Sequence, residues 1–348
     1  MTRRSIKELV RTSVRDLKPY SSARDEFQGD SNGMVFLDAN ENPFGSGLNR
    51  YPDPRQIKLK QVLASIKHVA VENVLCGNGS DEILDLIVRA FCEPKRDKLV
   101  ILPPTYGMYK VIAGINDIAV VSVNLNPEFQ PEVEEILKKS DANTKMLFLC
   151  SPNNPSSNAF QRSRIEQLIM NFDGIVVIDE AYADFSSERS FVNDIHRFPN
   201  LIVTQTLSKA FGLAGIRLGL CFASAFIIET LHKIKPPYNV NALTQQQAIT
   251  ALLDREKLNS EINLILQQRE RLANALKNIK IVEHVFPSDS NFLLVKVDDA
   301  RSRYEQLIEL GIVVRDRSNL FGCENCLRFT IGTTDENKAL IKALNELK

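Results

Sequence analysis

The run Gly174-Ile-Val-Val-Ile-Asp179 limits what this chain can fold into more than any other stretch. A strand that is apolar at every position, rather than at alternate ones, must be covered on both faces, as in a parallel sheet. Similar pieces recur at 98–102, 119–123, 145–149, 201–205 and 218–222, with helical patterns such as 162–171 between most of them. This βα alternation predicts an α/β fold with a mostly parallel central sheet flanked by helices. Pro236-Pro237 marks a break. Beyond it, one long helix is predicted over 242–277. Strands near 291–297, 312–315 and 327–331, with helices at 300–310 and 335–347, then make a smaller α+β domain.

In open α/β sheets, ligands gather beyond the carboxyl ends of the strands. Asp179 stands at such an end, where it could meet a ligand or simply cap a turn. Tyr182 follows three residues later. At the end of the next strand comes Thr206-Leu-Ser-Lys209-Ala-Phe-Gly-Leu-Ala-Gly-Ile-Arg217. A lysine held among Ser208, Ala210 and Gly212 can be partly desolvated. Its pKa then falls, and it can form a Schiff base with an aldehyde such as pyridoxal phosphate. Ser208 and Arg217 would serve the phosphate. A lone lysine could equally be a solvated loop residue, and the pairing with Asp179 favours the chemical reading. Upstream, Gly77-Asn-Gly79 lacks a dinucleotide loop's third glycine, because Glu82 occupies that place. Ser80-Asp81 instead caps a helix over 82–91, an ordinary cap or one whose amides at Gly79, Ser80 and Asp81 face an anion.

Charge and composition exclude other classes. Lys plus Arg and Asp plus Glu both number 43, so no basic field attracts nucleic acid or an anionic membrane. No apolar run approaches a membrane span, and residues 1–7 lead into no signal-peptide core, so a cytoplasmic protein is expected. The four histidines are dispersed, no Gly-x-Ser-x-Gly elbow occurs, and no metal site is expected. Cysteines 76, 92, 150, 221, 323 and 326 are scattered among apolar residues, as buried reduced thiols are. Cys323-Glu-Asn-Cys326 has zinc spacing, but no second pair completes it.

Several segments together resemble the fold-type-I pyridoxal-phosphate aminotransferases, and most closely the histidinol-phosphate aminotransferases. They are Val14-Arg-Asp-Leu-Lys-Pro-Tyr20, Leu37-Asp-Ala-Asn-Glu-Asn-Pro43, Asn49-Arg-Tyr51-Pro52, Gly77-Asn-Gly-Ser80-Asp81-Glu82 and Pro103-Pro-Thr-Tyr106-Gly-Met-Tyr109. Further on come Ser151-Pro-Asn-Asn154-Pro155, Asp179-Glu-Ala-Tyr182, the Lys209 segment, Val314-Arg315-Asp316 and Leu327-Arg328-Phe-Thr-Ile-Gly332. They lie in the family's order along most of the chain. Ser156-Ser157 departs from the family's usual Thr-Gly.

The resemblance implies an aspartate-aminotransferase-like large domain at 46–240 that binds pyridoxal 5′-phosphate. It implies an N-terminal arm and part of the small domain at 1–45, packed on the small lobe and on a partner subunit. A long helix and the C-terminal small domain would fill 241–348. Lys209 would carry the cofactor and act as base, Asp179 would hold its ring nitrogen, and Asn154 and Tyr182 its ring oxygen. Tyr106 would stack on the ring, although in its loop it could also be a core aromatic. Gly79, Ser80, Asp81, Ser208 and Arg217 would cradle the phosphate, with Tyr51 reaching in from the other subunit of a homodimer with shared sites. Tyr20, Asn154, Arg315 and Arg328 would bind substrate, and Asn40-Glu41-Asn42 would lie beside the pocket. The implied reaction interconverts histidinol phosphate plus 2-oxoglutarate with imidazole-acetol phosphate plus glutamate, in histidine biosynthesis. A threonine-phosphate decarboxylase and an aromatic amino acid aminotransferase would keep the same cofactor residues. A cofactor-binding regulator is disfavoured by the lack of any basic appendage.

Overall fold

The computed structural model describes residues 4–22, 26 and 34–347. Seven strands form the larger sheet: β1 (Val74–Asn78), β2 (Lys98–Ile101), β3 (Ala119–Ser122), β4 (Thr144–Cys150), β5 (Ile175–Asp179), β6 (Leu201–Thr206) and β7 (Leu218–Ala223). Their order is β1-β7-β6-β5-β4-β2-β3. The pairings from β6 through β5, β4 and β2 to β3 are parallel, and β7 is antiparallel to both its neighbours. The all-apolar run of β5 feeds two separate cores. Val176 and Ile178 pack on one face with Leu147, Leu149 and Val203, while Ile175 and Val177 pack on the other with Met146, Phe148 and Ile202.

The smaller sheet is antiparallel throughout, in the order β10 (Arg315–Asp316), β11 (Cys326–Thr330), β9 (Phe292–Val297), β8 (Val282–Val285). Leu272 and Leu276 from the helix Arg255–Leu276, and Leu340 and Leu344 from the helix Thr334–Glu346, cover it. A small cluster of Tyr182, Phe185, Ala210, Leu258 and Phe292 joins the two sheets beside the strand ends. All six cysteines are free and buried. Among the described residues no helix is long and apolar enough to cross a membrane.

Four details differ from the sequence expectation. The helix expected over 242–277 is two helices, Ala242–Leu253 and Arg255–Leu276. They part at Asp254, whose carboxylate accepts from the Lys257 amide at 3.2 Å and so caps the second helix. Strands β1 and β8 were not anticipated; Gly77 at the end of β1 hides its strand propensity. The helix after β1 begins at Ser80, with Gly79 as its N-cap, so Ser80 and Asp81 lie in its first turn. Finally, residues 4–15 do not pack on the smaller lobe. Leu9, Val10 and Val14 enter the core of the large domain beside Leu86 and Phe91, and the Arg11 amide donates to Ala90 O. The departure at Ser157 is accommodated: it takes a φ of +68°, and its hydroxyl donates to Pro287 O at 3.0 Å.

The approach of the turn at 79–80 to β7 is close. A Cβ on Gly219 would lie 2.4 Å from Gly79 C and from Ser80 N, both backbone atoms that cannot swing aside. Gly219→Ala should therefore lower stability by about 1–3 kcal/mol, the usual cost of overpacking. Urea unfolding checks this, and a loss below about 0.5 kcal/mol would mean that the turn moves freely.

Candidate active site

The parallel strands end on one edge of the sheet, and β7, running the other way, begins there. All but β3 contribute residues at or just beyond these ends to one cavity of about 560 Å³. From β1 and its following turn come Ser80 and Asp81; after β2 come Thr105 and Tyr106. From β4 come Cys150 and Asn154, from β5 Asp179 and Tyr182, from β6 Thr206, Ser208 and Lys209, and ahead of β7 Arg217. The smaller sheet closes the far side with Arg315, Arg317 and Arg328.

Asp179 lies buried on the floor. Its carboxylate accepts from the Tyr109 hydroxyl at 2.7 Å and from the Ala181 amide at 3.1 Å. Even so, burial raises its pKa above the ordinary carboxylate value, because no cation of the chain pairs with it among the described residues. Lys209 is exposed into the open cavity. Desolvation, and next the Arg328 charge, lower its pKa from the ordinary lysine value, while Asp179 and Asp81 pull it back. Its Nζ lies 5.6 Å from the centre of the Tyr182 ring. Tyr182 packs edge-on against Phe292, with centroids 5.1 Å apart.

At another corner, the N-terminus of the helix Ser80–Phe91 points its free first-turn amides beside Arg217. Gly79 has φ +79°, and a Cβ there would meet Arg217 Nη2 at 2.6 Å. The Asp81 carboxylate is turned aside, accepting from the Tyr106 hydroxyl at 3.2 Å. The Ser208 hydroxyl accepts from Thr206 Oγ1 at 3.0 Å. Across the cavity Arg328 Nη1 donates to Asn154 Oδ1 at 2.6 Å, with its guanidinium 5.1 Å from the Phe292 ring centre. Asn154 keeps its amide nitrogen without a protein partner among the described residues.

Of the residues expected from the sequence, Ser80, Asp81, Tyr106, Asn154, Asp179, Tyr182, Ser208, Lys209, Arg217, Arg315 and Arg328 share this cavity, and Gly79 abuts it through Arg217. Tyr20 and Tyr51 do not reach it within the chain. Tyr51 stacks on Tyr238 at 4.5 Å and lines a separate hollow with Asn40, Glu41 and Asn42. Tyr20 lines a third, near His232 and Lys233. The sequence reading missed Tyr109, which sits in a quoted segment but shows its role only through contact with Asp179. It also missed Arg317, which follows the end of β10 and shows its place only by lining the cavity.

The fold and site define a known class. The aminotransferase class I and II family matches residues 35–344, and the chain belongs to it. Within that family it is 56% identical over 343 residues to a histidinol-phosphate aminotransferase of Flavobacterium johnsoniae, covering 98% of each chain. The solved histidinol-phosphate aminotransferase of Clostridium acetobutylicum shares the fold, with a TM-score of 0.80 at 24% identity over 88% of this chain and 97% of that one. The L-threonine-O-3-phosphate decarboxylase of Porphyromonas gingivalis also superposes, with a TM-score of 0.72 at 26% identity over 85% and 90%.

Pyridoxal phosphate is the cofactor of this class, and the cavity fits it. A buried carboxylate without a cation suits a protonated ring nitrogen; a partly desolvated lysine suits its aldehyde; a helix N-terminus beside Arg217, which has no carboxylate partner among the described residues, suits its phosphate. When bound, the cofactor supplies an electron sink for charge left on the substrate's α-carbon.

Asp179→Asn separates chemistry from folding. Because its folded pKa is raised, Asp179 contributes stability that is full below the ordinary carboxylate pKa and is lost as pH rises through the raised one. Asparagine carries no such loss, so the cofactor-free variant should be at least as stable as wild type at neutral pH by thermal melting. Its kcat/KM should nevertheless fall about a hundredfold or more, the scale of losing one preorganised electrostatic partner. A near-normal rate would show that the ring nitrogen is not controlled from this position.

Proposed function

We propose that the chain transfers an amino group from histidinol phosphate to 2-oxoglutarate, giving imidazole-acetol phosphate and glutamate, as a cytoplasmic step of histidine biosynthesis. Beyond the names of relatives, the observation that carries this reading is the guanidinium wall. Arg315 and Arg328 are directly paired across β10 and β11, and neither has a carboxylate partner among the described residues. A fork of this kind suits the oxygens of a phosphate ester or a carboxylate.

The chain's own residues then divide the work. Lys209 Nζ, held toward its neutral form, accepts the proton from the carbon bearing the substrate's amino group and can return it nearby. Asp179 would pair with the cofactor's protonated ring nitrogen from the floor, its carboxyl steadied by Tyr109. Asn154 and Tyr182 would hydrogen-bond the cofactor's ring oxygen. Tyr106, whose hydroxyl donates to Asp81, would stack on the cofactor ring.

Charge-assisted contacts to a partly buried anion cost roughly 2–5 kcal/mol when one partner is left alone. Histidinol phosphate should therefore exceed histidinol in kcat/KM by at least about thirtyfold. Following the cofactor's visible spectrum as each donor is added checks this. Equal turnover would leave only a general aminotransferase, and CO₂ release from threonine phosphate would favour the decarboxylase.

The same reading includes a homodimer. Val35, Leu37 and Phe44 are 83%, 89% and 82% exposed beside Tyr51, an apolar stretch that a second copy would cover. If Tyr51 serves the neighbour's cofactor phosphate, Lys209→Ala and Tyr51→Ala, each nearly inactive, should complement when mixed. Hybrid dimers hold one intact site, so random exchange restores up to about a quarter of wild-type activity. No recovery after subunit exchange, shown by differently tagged subunits, would count against the shared site.

A further inference from the structure

The register of β10 on β11 places Arg328 opposite Arg315, and Arg317 follows directly on the end of β10. All three line the cavity. Arg317 is held from both sides of its backbone: its amide donates to Cys326 O at 2.9 Å, and its carbonyl accepts from the Leu320 amide at 2.9 Å. Its side chain, in contrast, has no protein partner among the described residues, and its Nε is buried without one, as is Nε of Arg328. The adjacent Asp316 does not relieve it, since that carboxylate accepts from the Ser318 amide at 2.8 Å. A buried donor left unpaired is costly, and so are three guanidinium groups gathered in one half-buried wall. Burial and the neighbouring arginine charges hold the pKa values of Arg317 and Arg328 down from the ordinary arginine value, as expected of cations awaiting an anion.

We propose that Arg317 is a third ligand for the phosphoryl group of the amino donor, and that it separates that substrate from glutamate. This rests on the phosphate-ester reading above and adds a residue to it. The two substrates of a transaminase share one pocket but present different anions. A carboxylate offers two oxygens and one negative charge, which one guanidinium fork satisfies. A phosphate monoester offers three terminal oxygens and nearly two charges, enough for a further fork. Arg317 therefore binds when the phosphate ester is present and contributes little when glutamate occupies the site.

The test uses the holoenzyme and its Arg317→Gln and Arg317→Lys variants. Calorimetric titration with propyl phosphate, which has no amine to react, reads binding at the wall. Spectral half-reactions with histidinol phosphate and with glutamate read selectivity. For Arg317→Gln the Kd for propyl phosphate should rise at least about tenfold, with a matching loss in kcat/KM for histidinol phosphate, while the glutamate half-reaction stays within about twofold. Arg317→Lys should fall between, because it keeps the charge and loses the fork. Equal losses in both half-reactions, or a lowered melting temperature with unchanged propyl phosphate binding and selectivity, would overturn the proposal. If wild type itself fails to prefer histidinol phosphate over histidinol, the phosphate-ester reading falls first, and that result is distinct from a wild type that discriminates and an Arg317→Gln variant that discriminates equally well.

Discussion

A strand buried on both faces has nowhere to place a charge except at its end. Strands β4, β5, β6 and β7 are buried along their whole length, so the polar chemistry of this chain collects at the sheet edge. The parallel strands bring their carboxyl ends there. The reversed β7 brings its amino end, which is how Arg217 comes to face the start of the helix Ser80–Phe91. Gly219 makes that approach possible, since any side chain there would strike the turn at 79–80. One packing constraint thus sets the positions of Asp179, Lys209 and the phosphate corner together.

Electrostatics then explains why these groups are useful. Asp179 and Lys209 share the cavity without a salt bridge between them, so each stays uncompensated and each has its pKa moved toward the neutral form. Burial is the first cause in both cases. Tyr109 offsets part of it for Asp179 by a hydrogen bond, and the arginine wall adds to it for Lys209. The same low-dielectric surroundings that make these charges costly make them effective on a bound charged group.

Polar order around the site is maintained by residues that take no part in it. Glu180, next to Asp179, is fully enclosed and accepts from the Ser190 hydroxyl, the Phe191 amide and Gln205. That network ties the chain leaving β5 to β6, so Tyr182 is delivered to the cavity rather than to solvent. Asp194, likewise enclosed, gathers Arg162, Arg189 and Arg197 a little further on.

Much of this was legible in the residues. The all-apolar run ending in Asp179 and the small-residue turn around Lys209 each imply a strand end, because local composition decides strand burial and turn geometry. The split at Asp254 was less visible, since no proline or glycine marks it and only the capping geometry reveals it. Packing of residues 4–15 on the large domain was decided by which apolar surface was nearest, which local pattern does not contain. The partnership of Tyr109 with Asp179, 70 residues apart, and the meeting of Arg328 with Asn154 are tertiary in origin. The sequence by itself determined most strands of the larger sheet, the chemistry at their ends and the family. Tertiary structure decided which charges stand unpaired around one cavity, because pairing depends on distances between segments far apart in the chain.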